Sequence, residues 1–274
     1  MGGAKRNKSN FAIGTFNVRG LTQEVKQQQL ARDAAKYGVD VVCLQETKIK
    51  SGTDISVGNY RLITFPTEQR AYGNGFLVKN NINIHRCWKI TDRISILQIN
   101  IDNTNGGDDE SGCSSDTPGI TRTQQDKYNT ILGGSRGIKI KIIKQPPLRL
   151  ITIVNVYAPT TRRVSTHMDE LDKFYTQLSD IVNNFENLAT SMTFIAGDFN
   201  AKIGKRHVEM CMGNFTRGKR NNSGKMLINF CNINNDFICN TAFRHAAQHI
   251  TTWSRQYFDK KAVVYRNVNT GVHL

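Results

Sequence analysis

Four apolar runs along this chain each stop at polar residues that the run itself cannot bury, and this pattern limits the fold more than any other feature. FAIGTF (11–16) runs into Asn17, and VDVVCL (39–44) runs into Gln45 and Glu46. ITIVNV (151–156) meets Tyr157, Ala158 and Pro159, and MTFIA (192–196) meets Gly197, Asp198, Phe199 and Asn200. An unbroken apolar run such as VDVVCL lacks the alternation of a half-solvated strand and marks a strand covered on both faces. Helical periodicity lies between these runs. One helix is predicted from Thr22 as N-cap to Gly38, with Leu30, Ala31, Ala34 and Tyr37 on one face. The clearest spans about 167–188, with Leu171, Phe174, Tyr175, Leu178, Ile181, Val182 and Phe185 at three-four spacing and a capping-box-like start at Thr166 and Asp169. A third, about 224–235, takes Ser223 as its cap and turns Leu227, Phe230 and Cys231 inward. Shorter strands are expected at YRLITF (60–65), GFLVKN (75–80), ISILQINI (94–101) and IKIKII (138–143). Strands alternating with helices predict a layered α/β domain.

The rhythm breaks at 102–136, which is rich in Gly, Ser, Thr and Asn and holds Asp102, Asp108, Asp109, Glu110 and Asp116 without an apolar period. A flexible surface insertion is expected there. Residues 1–10, with Lys5, Arg6 and Lys8, read as a solvated basic arm, so the expected organisation is an arm followed by one domain over 11–274. No apolar stretch is long enough to span a bilayer and no signal-peptide core follows the arm, which predicts a soluble intracellular protein without a membrane partner. Thirty-seven Lys and Arg against 22 Asp and Glu give a net charge of +15. Such a surplus favours a polyanion through counterion release, and nucleic acid is the commonest one. The six cysteines show no C-x-x-C pairing, and Cys43 and Cys231 fall in apolar patterns, so reduced buried thiols are expected.

Rigid strand ends are where α/β folds collect reactive groups. Here those ends offer two carboxylates (Glu46, Asp198), two carboxamides (Asn17, Asn200) and a phenol (Tyr157). An all-oxygen set of this kind suits Mg²⁺ or Mn²⁺ and not a thiolate or imidazole metal site. Each residue taken singly also has an ordinary explanation: Asp198 and Asn200 as turn formers, Asn17 as part of a turn with Arg19 and Gly20, Tyr157 as a strand aromatic. YGNG (72–75) and GGSRG (133–137) lack phosphate-loop spacing and read as turns, and His85, His167, His245 and His249 show no ligand spacing.

TFNVRG (15–20), CLQETK (43–48), NVYAP (155–159) and AGDFNAKIG (196–204) together resemble the successive motifs of the endonuclease/exonuclease/phosphatase superfamily. Their wording is similar to that of the apurinic-type endonuclease domain of non-LTR retrotransposons and of related domesticated proteins. The resemblance implies a four-layer α/β/β/α sandwich with two central mixed sheets. It implies Glu46 as the principal metal ligand with Asn17 assisting, and Asp198 orienting and deprotonating the attacking water. Asn200 would hold the scissile phosphate and Tyr157 would donate to it, in a metal-dependent phosphodiesterase that nicks DNA. Lys202, Lys205, Arg206, Arg217, Lys219, Arg220 and Lys225, facing only Glu209, form a basic segment after the last motif; with Arg19 and Asn222 they are the nucleic-acid-binding candidates, against the alternative of a solvated loop. Trp253 is expected as a core aromatic. The sequence departs from the family after it: RQYFDKKAVVYRNVNTGVHL (255–274) holds neither an Ile-Asp-Tyr-like strand nor a Ser-Asp-His motif, whose His would contact the phosphate. The expectation is a truncated copy, missing its last strands and with an atypical tail at 254–274, that has little or no nuclease activity. Two alternatives stand beside it: a nucleic-acid-binding remnant without catalysis, and a phosphatase of the same fold. A monomeric, nuclear protein is expected in either DNA-directed case.

Overall fold

The computed structural model describes residues 11–67, 69, 72–100, 150–160, 166–186, 191–205 and 209–244, and the backbone of 253–259 and 264–271. They belong to one of the chain's two compact units, residues 1–102 with 148–274. The predicted basic arm, the insertion at 102–136, IKIKII, Arg206 and the Trp253 side chain lie outside the described residues.

The first sheet holds β1 (Ile13–Asn17), β2 (Val41–Gln45), β3 (Thr53–Val57), β4 (Tyr60–Thr64) and β5 (Asn74–Lys79), in the order β1-β2-β5-β4-β3. β1 and β2 run parallel, because α1 (Glu24–Lys36) carries the chain back between them, and the other pairs are antiparallel. The second sheet holds β6 (Ile84–Thr91), β7 (Ile94–Asn100), β8 (Leu150–Tyr157) and β9 (Ser191–Asp198) in sequence order. Its one parallel pair is β8 with β9, joined through α2 (Thr166–Glu186). α3 (Asn222–Ile233) follows, and β10 (Trp253–Asp259) pairs antiparallel with β11 (Val264–Gly271) as a separate two-stranded ribbon.

Three apolar clusters show how the layers stack. Leu30, Ala31 and Ala34 of α1 cover Val42, Leu44, Leu62 and Leu77 on one face of the first sheet. The alternate residues Val41, Cys43, Phe76 and Val78 meet Leu97, Ile99 and Ile153 of the second sheet. The far face of that sheet, Ile94, Val154 and Val156, is covered by Leu171, Phe174, Leu178 and Val182 of α2 and by Leu227, Phe230 and Cys231 of α3. The order is helix, sheet, sheet, helix, with two mixed sheets at the centre. This arrangement explains why β2 and β8 read as unbroken apolar runs: each face of each strand meets a different layer.

Local differences from the sequence reading have physical causes. Tyr37 is 74 % exposed, because α1 ends before it and Gly38, with φ of +65°, turns the chain away. α1 starts from Gln23 without a side-chain cap. α3 is capped by Asn221, whose side chain accepts from Gly224 N, and not by Ser223, which lies inside the helix and is buried. β3 and β6 are additional strands: TDISV and IHRCWKIT are half-exposed edge segments with no apolar run to announce them.

Candidate active site

Parallel pairing brings strand ends to one level. Asn17 is in register with Gln45 at the ends of β1 and β2, and Tyr157 with Asp198 at the ends of β8 and β9. The β8–β9 approach depends on Gly197, where an added Cβ would strike the Val156 carbonyl. Beyond the ends the backbone turns sharply, with Arg19, Glu46, Lys48 and Asn200 at φ of 49°, 53°, 59° and 48°. Left-handed conformations of this kind are disfavoured for residues with a Cβ and persist where the surroundings impose them. Here the segment after β1 is zipped to the segment after β2 by Val18 N to Gln45 O (3.0 Å), Gly20 N to Glu46 O (2.7 Å) and Leu21 N to Thr47 O (2.9 Å).

The side chains that this backbone presents converge across the two sheets. Asn17 Nδ2 donates to Glu46 Oε1 at 2.8 Å and to Asp198 Oδ2 at 2.9 Å, so one amide joins both carboxylates. Tyr157 OH donates to the same Glu46 Oε1 at 2.9 Å. Asp198 Oδ1 accepts from Asn200 N at 3.0 Å, and Asn200 Nδ2 donates to the Ala158 carbonyl at 2.8 Å. The sequence-predicted quintet of Asn17, Glu46, Tyr157, Asp198 and Asn200 is thus a single cluster, although its members come from four strands. Burial raises the Tyr157 phenol well above its ordinary value, and the charge of Glu46, the bond to it and the charge of Asp198 add to the rise. Tyr157 therefore remains a hydrogen-bond donor throughout the neutral range.

Three further residues complete the cluster. Lys48 Nζ stands 3.4 Å from Glu46 Oε2. Arg93 lies over the Tyr72 ring, 4.3 Å from its centroid, and 5.5 Å from that of Tyr157. Its guanidinium donates to Tyr72 OH (2.9 Å), Glu170 Oε1 (2.8 Å) and the Tyr157 carbonyl (3.2 Å). Lys48 ends the CLQETK motif, but the sequence reading gave it no role. Arg93 and Tyr72 carry no sequence signal, because each meets the site only through the folded chain.

The donor set fits a hard divalent cation. Two carboxylates stand together on the Asn17 Nδ2, while Asn17 Oδ1 accepts from Arg19 N at 3.2 Å, so the amide has to turn over to offer its oxygen beside Glu46; the described residues hold no group of three or more His, Cys, Asp or Glu. A site with few protein oxygens is the kind that Mg²⁺ uses, since it keeps several waters and shares substrate phosphates. Glu46 and Asn17 would hold it.

The predicted nucleic-acid residues divide. Arg19, Lys205, Arg217, Lys219 and Asn222 are exposed, and Lys202 is half-buried on the loop after Asp198. Arg220 is committed to the interior of that loop: Nε donates to the Ile203 carbonyl (2.8 Å) and NH1 to Glu209 (3.0 Å). Asn221, one residue before the predicted Asn222, ties the loop to α3, since its Oδ1 accepts from Lys202 N (2.9 Å) and Gly224 N (2.8 Å).

Two stacked mixed sheets whose parallel strand ends pool acids, amides and a phenol are the setting of this site, and the chain belongs to the Endonuclease/Exonuclease/phosphatase family, whose model matches residues 14–254. Enzymes of that family hydrolyse phosphodiester bonds. Among curated proteins the chain is similar to craniofacial development protein 2 of Bos taurus, at 33 % identity over 247 residues, 90 % of this chain and 34 % of that protein. It is also similar to craniofacial development protein 2 of Tragulus javanicus, at 32 % identity over 104 residues, 38 % of this chain and 17 % of that protein. The chain spans about a third of the length of the Bos taurus relative. Among solved structures it is similar to the AP endonuclease LMAP from Leishmania major, with a TM-score of 0.49 and 16 % identity over 82 % of this chain and 66 % of that one.

Proposed function

We propose that the chain is a Mg²⁺- or Mn²⁺-dependent phosphodiesterase of the endonuclease type, acting on DNA as in the retrotransposon-like endonucleases that its motifs resemble. The observation that supports this reading is the meeting of Glu46 and Asp198 on one Asn17 amide. A bound divalent cation supplies charge neutralisation at the phosphoryl and leaving oxygens. Asp198, its carboxylate oriented by Asn17 and by the Asn200 amide, accepts the proton of the attacking water. Tyr157 donates toward the developing negative charge, and its raised pKa keeps that proton in place. Asn200 positions the scissile phosphate. The exposed lysines and arginines after Asp198 hold the DNA backbone without reading sequence. A monomer acting in the nucleus completes the reading.

Conversion of supercoiled plasmid to nicked circles, with and without Mg²⁺ or Mn²⁺, tests it. Metal-dependent nicking that is abolished in Glu46→Gln, with salt-dependent DNA binding retained, is the expected result. A second reading, DNA binding without cleavage, is favoured by the net charge of +15, which serves binding whether or not the site turns over. Under it wild type and Glu46→Gln bind alike and neither nicks. Release of phosphate from a soluble phosphomonoester, with no nicking, would instead indicate a phosphatase.

A further inference from the structure

Between the two sheets, at the end that carries the candidate site, an amide layer interrupts the apolar interior. Gln45 and Asn155, each 0 % exposed, are joined across the sheets by Gln45 Nε2 donating to Asn155 Oδ1 at 2.7 Å. Asn155 Nδ2 donates to the carbonyls of Leu44 (3.0 Å) and Gly75 (2.9 Å), so this pair is well satisfied. Its neighbours are not. Asn74 is 1 % exposed, and neither its Oδ1 nor its Nδ2 has a hydrogen-bond partner among the described residues. Ser95 is 0 % exposed and its Oγ is unpaired in the same sense.

The register, with β5 stacked over β7 and β8 of the other sheet, brings these orphans to the same side of that pair. Asn74 stands opposite Gln45 on β5, and Ser95 stands opposite Asn155 on β7. Opposed residues on one face have Cβ atoms about 5 Å apart. Asn74 alternates with Phe76 and Val78, and Ser95 with Leu97 and Ile99, and all four of those pack in the inter-sheet core. Both unpaired side chains therefore enter the same interior from opposite sheets, beside the Gln45–Asn155 bond. A third unpaired oxygen, Thr47 Oγ1, lies against Gly73, next to Asn74.

We infer that Asn74 and Ser95 form an internal water site that bridges the two sheets beneath Glu46 and Tyr157. A ligand there has to be small, neutral, and both donor and acceptor, since Asn74 offers donors and an acceptor and Ser95 offers both in a hydroxyl. Water meets each condition, and a bridging water recovers most of the hydrogen bonding that a buried amide loses on leaving solvent. An ion does not fit, because Gln45, Asn74, Ser95 and Asn155 supply amides and a hydroxyl and no charge.

The site is tested on the unmodified 274-residue chain by ¹⁵N-edited NMR, looking for transfer between long-lived water and the Asn74 side-chain amide protons. Cross-peaks at the water frequency are expected; their absence, with the Asn74 amide paired to a protein atom, overturns the inference. Urea unfolding gives a second readout. Asn74→Leu is expected to lower the folding equilibrium constant about tenfold or more, and Ser95→Ala to lower it less, with the double variant falling short of the product of the two. Variants as stable as wild type, or more stable, would show that the groups are orphaned and not hydrated. If Asn74→Leu does not fold, Ser95→Ala and the wild-type spectrum decide the matter.

Discussion

Glu46 illustrates how much one residue can be asked to do at a strand end. It holds a left-handed backbone, receives Asn17 and Tyr157 on one carboxylate oxygen, and has Lys48 3.4 Å from the other. The chemistry of this position was legible in the sequence because a carboxylate directly after a run buried on both faces has no core role to play. Arg93 and Asn74 were illegible for the opposite reason. Each belongs to a segment of ordinary composition, and what it does depends on neighbours brought near by strand pairing. The buried thiols Cys43 and Cys231 were also legible, from apolar context, whereas Cys239 is exposed; with the half-buried Cys87 they make a pH prediction. Burial pushes Cys87 and Cys231 up to about 12, helped by Asp54 for the first and by Asp236 and Cys211 for the second, and it raises Cys43 as well. An unfolded thiol titrates near about 8.5. Above that value the unfolded chain loses protons that the folded chain keeps, so stability falls as pH rises, by about 1 kcal/mol per pH unit for each such thiol. Urea midpoints measured under reducing conditions should drop steadily from pH 8 to pH 10, and Cys231→Ala should flatten the drop. A midpoint independent of pH over that range would contradict the burial.

Among the elements, the pairing of the loop after β9 with the start of α3 matters most to the site. Asn221 N donates to the Lys202 carbonyl at 3.0 Å, and Asn221 Oδ1 accepts from Lys202 N and Gly224 N, so the helix cap and the loop clamp are one group. A Cβ at Gly224 would collide with the Lys202 carbonyl. Gly224→Ala is therefore expected to push the loop off the helix, costing about 1–3 kcal/mol as overpacking does, and to displace Asp198 and Asn200 with it. Chemical denaturation checks the first effect, and loss of nicking out of proportion to the loss of stability checks the second. An unchanged midpoint would show that the helix start yields freely. β1 and β9 form where apolar runs predicted them but are only half-buried, with Phe16 56 % and Met192 46 % exposed, because each carries one poorly covered face. The helices were readable from periodicity and β2 and β8 from unbroken apolar runs. β3 and β6 were not, because edge strands with one solvated face carry charged and polar residues that mask the period. The cap of α3 was misplaced by two residues because several polar residues precede the helix, and only tertiary contact with Lys202 selects Asn221.

For the whole molecule, the layer order follows from which faces of β2 and β8 are apolar, and the sequence showed that both faces are. It did not show which sheet edge meets which, since that depends on the inter-sheet contacts of Gln45 and Asn155. The charge of +15 predicts a polyanion but not a face. The structure separates the basic residues by what they are doing. Lys205→Ala, on an exposed side chain, should reduce the slope of log K against log salt for DNA binding by about 1 without altering stability. Arg220→Ala should act mainly on stability, because its guanidinium is bound to Ile203 and Glu209. Equal slopes for wild type and Lys205→Ala would remove that loop from the interface.

The central claim is that ends of separate strands create one cation site from Asn17 and Glu46, beside Asp198. Titration of the chain with Mn²⁺, followed by the loss of free-ion EPR signal, measures this without requiring turnover. One site in the wild-type chain, lost or greatly weakened in Glu46→Gln while the variant keeps its circular dichroism spectrum, is the predicted result. Equal Mn²⁺ binding by wild type and a folded Glu46→Gln would contradict it.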